Sequence, residues 1–172
     1  KDMRLMFNGA RNFNQPIGDW NVSNVTNMNY MFNDARLFNQ PIGDWNVSNV
    51  STMQNMFRNA ENFNNPIGDW NTSNVTFMSS VFRNAKSFNQ PIGNWNVSNV
   101  LYLGGMFEQC TNFNQDINTK VVNEGQNNEY LAWDISNVID FYSIFSYASN
   151  FNQSVSNWNT SKIARLRNMF RR

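Results

Sequence analysis

Three carboxylates recur at one spacing. Asp19, Asp44 and Asp69 stand 25 residues apart, each directly before a tryptophan and two residues before an asparagine. Held on neighbouring strands at ~4.8 Å, two of them would approach the ~5–5.5 Å separation of a retaining glycosidase pair. The spacing repeats down the column, so nothing separates an acid from a nucleophile, and the chain has no His for other acid–base work. The chain is therefore expected not to be an enzyme, and no residue is assigned a catalytic role. Calcium is a lesser reading of the same column: an exposed carboxylate ladder offers few ligands per ion and lacks a Gly-rich Asp-x-Asp loop. Met28, Met31, Met53 and Met56 could ligate a soft metal. With no His and one Cys they read instead as core filling, and no metal or cofactor is expected.

Cys110 occupies the column of Ala10, Ala35, Ala60, Ala85 and Ala148, which points to a small buried side chain. What remains for function is a polar contact surface. The candidate partner-binding residues are Asp19, Asn21, Asp44, Asn46, Asp69, Asn71, Asn94 and Asn96.

These columns exist because the chain is a tandem array. Phe7, Phe32, Phe57, Phe82 and Phe107 are 25 residues apart, as are Trp20, Trp45, Trp70 and Trp95. Asn14, Asn39, Asn64, Asn89, Asn114 and Asn152 form another column. A fixed period of this length marks an array whose units bury their apolar faces only by stacking. Stacked Asn side chains could satisfy loop backbone groups along the axis. The register slips once, by 13 residues, between Ile117 and Trp133.

Within a repeat, Val25, Met28, Met31, Phe32 and Ala35 fall at offsets 0, 3, 6, 7 and 10. That spacing predicts one face of a short α-helix, with Ser23 as its N-cap. Asp19, Trp20, Asn21 and Val22 alternate polar and apolar, which predicts a strand with Trp20 and Val22 inward and Asp19 and Asn21 outward. Pro16 and its equivalents belong at corners, since they have no N–H for a ladder. The expected fold is thus an α/β repeat solenoid of about six to seven 25-residue repeats over residues 1–172, with short parallel strands on one face and short helices on the other. Residues 118–132 read as one inserted β-hairpin, with Val121-Val122 and Tyr130-Leu131 around a Glu-Gly-Gln-Asn-Asn centre.

Charged residues make up 15% and the net charge is +1, so nucleic-acid binding lacks its usual driving force. No apolar run approaches the ~18 residues of a membrane span, and membrane insertion is not expected. The sequence begins with Lys and stops within a motif, and is expected to be a stretch of a longer protein.

The strings MFNDARLFNQPIGDWNVSNVSTM and MFRNAENFNNPIGDWNTSNVTFM resemble the bacterial-surface-protein repeat, BspA-like, of mycoplasma lipoproteins, Gram-positive surface proteins and some algal and large-virus proteins. Even the insertion is similar to that family's longer variant. The resemblance implies a leucine-rich-repeat-like scaffold and an extracellular or cell-surface location, with a virion surface as the alternative. The functional expectation is a non-catalytic module for adhesion that binds protein or glycan. The alternative is a structural component of a surface layer, fibre or virus shell, assembling laterally or end-on.

Overall fold

The computed structural model describes all 172 residues, Lys1–Arg172. It corrects the α/β reading: the chain contains no helix and no parallel strand, and its only sheet is a two-stranded antiparallel hairpin. Of 80 backbone–backbone hydrogen bonds, 76 lie outside any helix or strand, so turns and contacts between coils carry the backbone. Successive repeats lie over one another in parallel, joined by single-residue bridges Asp2↔Asn27, Asn27↔Thr52, Thr52↔Phe77, Phe77↔Tyr102, Tyr102↔Asp140 and Asp140↔Arg165.

The second coil shows why no helix forms. The N–H groups of Met28, Tyr30, Phe32 and Asp34 donate to the carbonyls of Thr52, Gln54, Met56 and Arg58 in the next coil, at 2.8–3.0 Å. The intervening N–H groups of Met31, Asn33 and Ala35 close tight turns onto Met28, Tyr30 and Phe32. An α-helix would send every N–H to the carbonyl four residues earlier. Here Tyr30 and Asp34 have φ of 58°, as do Asn59 and Ser80, with Asn55 and Asn84 at 57°. A left-handed residue every four positions cannot belong to a right-handed helix. The linked turns still place Met28, Met31, Phe32 and Ala35 inward, all fully buried.

The strand expected over Asp19–Val22 is also absent. Trp20 N–H turns back to the Ile17 carbonyl, and the equivalent bond recurs at Trp45, Trp70 and Trp95. Ser23 is not a helix cap: its N–H and its hydroxyl both donate to Asn21 Oδ1, at 3.1 and 2.7 Å, an Asx-type turn repeated at Asn46, Asn71 and Asn96. Parallel pairing falls instead at Asn27 and its equivalents, inside the stretch read as helical.

Side chains complete the stack. Asn39, Asn64, Asn89, Asn114 and Asn152 each donate a backbone N–H to Oδ1 of the Asn one coil earlier, all at 2.9 Å. Asn49, Asn74, Asn99 and Asn137 donate through Nδ2 to the carbonyls of Ser23, Ser48, Ser73 and Ser98. Two phenylalanine columns stack through the centre, with Phe32 and Phe38 4.0 Å apart within a coil and Phe32 and Phe57 5.5 Å apart between coils. Beside them the tryptophans from Trp45 onward are buried, and each indole N–H donates to an isoleucine carbonyl one coil back, as in Trp70 to Ile42 at 3.1 Å. At Gly43 an added Cβ would stand 2.7 Å from the Pro66 carbonyl oxygen, so close approach of neighbouring backbones excludes a side chain there.

Strands β1 (Lys120–Val122) and β2 (Tyr130–Ala132) form the hairpin, with Lys120 opposite Ala132 and Val122 opposite Tyr130. The stack passes through the insertion without losing register: Trp133 Nε1 reaches the Ile92 carbonyl and Trp158 Nε1 reaches that of Ile117.

Trp70→Ala removes a buried ring, its stacking on Trp95 and its inter-coil hydrogen bond together. Chemical denaturation should show a loss of about 3–5 kcal/mol. A loss near that of a surface substitution would place the tryptophans outside the core.

Candidate functional site

Asp19, Asp44, Asp69 and Asn94 are exposed, as are Asn21, Asn46 and Asn71, while Asn96 is half-buried. They lie along one side of the stack, and the structure divides them into two sets. Asp69, Asn71, Asn94 and Asn96 form one wall and the floor of a groove of about 570 Å³. Asp19, Asn21, Asp44 and Asn46 lie on the earlier coils, outside it. The asparagines of the Asn21 column offer less than their exposure suggests. Their Oδ1 atoms are already occupied by the serine two residues on, which leaves the Nδ2 donors for a partner.

The opposite wall is the inserted hairpin, through Val122, Asn123, Asn128, Glu129 and Tyr130. None of these was among the residues singled out by the repeat columns, because the insertion has no counterpart in the other coils. Tyr130 fixes the hairpin's lean. Its hydroxyl donates to the Asn94 carbonyl at 2.5 Å, and partial burial pushes its pKa above the ordinary tyrosine value. Glu129 is held as well, with Oε2 accepting from the Gly125 N–H at 2.7 Å. At the hairpin base, Thr119 Oγ1 donates to the Trp133 carbonyl.

No Lys or Arg lines this groove, and only three of its thirteen lining residues are hydrophobic. The chain's five ion pairs involve neither Asp69 nor Glu129, and the nearest cation on this side, Lys120, lines an adjoining cleft with Gly68, Asp69 and Asn94. No group of three or more His, Cys, Asp or Glu side chains is placed to hold a metal ion. Cys110 is fully buried, its thiol donates to the Ala85 carbonyl, and burial pushes its pKa well up, so the reactive thiolate is disfavoured. No helix is long and apolar enough to cross a membrane.

A family model described as "Mycoplasma protein of unknown function, DUF285" matches residues 1–76, 42–131 and 122–172, and the chain belongs to that family. No curated protein and no solved structure matches the chain.

Tyr130→Phe keeps the ring and removes only the tether to Asn94. Hydrogen exchange should quicken in residues 120–132, consistent with the ~0.5–1.5 kcal/mol of one hydrogen bond, while amides of the central coils stay protected. Unchanged exchange in the hairpin would show that the tether does not hold it over the coils.

Proposed function

We propose that this chain is a non-catalytic surface module that binds a partner, protein or glycan, through the polar side of its stacked coils, in an extracellular or cell-surface setting. The observation that carries the reading is the groove: an insertion in an otherwise regular array is tied down over the Asp and Asn columns, enclosing polar groups with few partners of their own. Repetition adds to it, because equivalent polar groups on successive coils can engage together and turn weak contacts into useful affinity. Membership of the DUF285 family, together with the strings quoted above, supports kinship with BspA-like surface repeats. No nucleic acid, membrane insertion, metal or cofactor enters this reading.

A second reading, packing within a larger assembly such as a surface layer, fibre or virus shell, is favoured by a different patch. Where the first coils carry Thr26, Asn27, Ser51 and Thr52, later ones place Phe77, Leu101, Tyr102 and Ile139. Phe77, Leu101 and Ile139 are each more than a third exposed, and Phe77 stacks on Tyr102 at 5.1 Å. An apolar cluster replacing polar residues in the same columns suits lateral contact with a neighbour.

Asp44 and Asp69 are better probes than the neighbouring asparagines, whose Oδ1 atoms hold a turn. Asp44→Lys and Asp69→Lys should each weaken binding to partner-bearing surfaces by roughly 2- to 10-fold, the ~0.5–1.5 kcal/mol of a hydrogen bond, and the double variant further. Circular dichroism should be unchanged. Undiminished association of a folded double variant would move the contact to the Phe77–Tyr102 patch or to the remaining faces.

A further inference from the structure

The groove between the hairpin and the coils of Trp70 and Trp95 has a chemistry that narrows its ligand. We infer that it is a binding site for neutral oligosaccharide, a proposal that rests on the surface-module reading and makes it specific. Its volume of about 570 Å³ lies within the ~300–1,000 Å³ of small-ligand clefts. The lining carries the carboxylates of Asp69 and Glu129 and no cation, which disfavours phosphate, sulfate, sialylated sugars and nucleic acid. The shortage of apolar lining disfavours a lipid chain or a hydrophobic peptide anchor. Two carboxylates would also draw a cationic group, but Lys120, which lines the adjoining cleft with Asp69 and Asn94, offsets that pull, and a neutral polyhydroxylated ligand fits the lining.

The free hydrogen-bonding capacity suits that class. Carboxylate oxygens accept from paired hydroxyls, and Asp69 has no ion-pair partner in the chain. Glu129 has one oxygen held by Gly125 and one left over. Asn71 and Asn96 have their Oδ1 atoms filled by Ser73 and Ser98, so their Nδ2 groups can donate to hydroxyl or ring oxygens. Tyr130 contributes an aromatic ring beside these polar groups, the amphipathic surface on which a sugar's C–H face can rest. The two sides are also set before a ligand arrives. Tyr130 is fixed through Asn94, Glu129 through Gly125, and the Asn96 backbone through Thr72 Oγ1 at 2.9 Å. Such pre-ordering lowers the entropic cost of binding.

The experiment is a two-dimensional amide NMR titration with neutral oligomers of glucose, mannose and N-acetylglucosamine, with sialyllactose and an oligolysine peptide as anionic and cationic comparators. At least one neutral oligomer should give saturable shifts at Asn71, Asn96, Asn128 and Glu129. Asp69→Ala should weaken that binding about tenfold, whereas Glu124→Ala, which removes an exposed carboxylate of the same hairpin outside the groove lining, should not. Silence of those amides toward every neutral oligomer up to about 10 mM, or a response to oligolysine or sialyllactose alone, would overturn the inference. A parallel arm separates this from the broader reading, by binding the protein to biological surfaces treated with periodate or with protease. Loss on periodate alone supports the saccharide site. Binding that survives periodate and is lost on protease keeps the surface module and removes the saccharide, and binding to neither sugars nor surfaces removes both.

Discussion

The structure depends on how each coil spends its backbone N–H groups. Over Tyr30–Ala35 and its equivalents, alternate N–H groups go to the next coil and the others close turns within their own. A buried backbone donor without a partner costs as much as a lost hydrogen bond, so this alternation is a complete solution that needs neither helix nor extended strand. It also makes the coils interdependent. A single coil would leave half of those donors unpaired and would expose the faces of its two phenylalanines.

Side chains reinforce the same axis. The Asn14 column accepts backbone N–H groups between coils, the indoles of the tryptophan column donate backward to isoleucine carbonyls, and the phenylalanines stack face to face. Each contact repeats with the sequence period, so the columns visible in the chain are ladders in space. Across the 13-residue insertion the N–H to carbonyl offset simply lengthens, from Met78 to Tyr102 in one coil to Leu103 to Asp140 in the next. That continuity lets the hairpin project while the core beneath it is undisturbed.

Much of this was legible in the residues. The inward columns of Phe, Trp, Met and Val follow from their period, and the insertion stands out as its one interruption. The local backbone was not legible from apolar spacing alone, because offsets of 3, 3, 1 and 3 arise from linked tight turns as readily as from a helix. A discriminating signal was present in Gly9, Asp34, Asn59 and Asn84. These residue types tolerate left-handed backbone and recur in the last turn of the supposed helix, and Asn55 and Gly105 stand at its middle. Ser23 was misassigned because Asn21, two residues earlier, accepts from it. Of the eight candidate site residues, four meet in the groove. The hairpin wall was hidden because its direction depends on one bond, from Tyr130 to a carbonyl 36 residues earlier, which no periodicity encodes.

The stack therefore depends on which carbonyl each N–H of the Met–Phe segment engages, and NMR scalar couplings across hydrogen bonds observe that partnership directly. Met53, Asn55, Phe57 and Asn59 should couple to the carbonyls of Phe77, Ser79, Val81 and Arg83, each 24 residues ahead, while Met56 and Arg58 couple to carbonyls three residues behind. Couplings from these amides to carbonyls four residues earlier would mean that the segment is helical after all and that the coils are held together in another way.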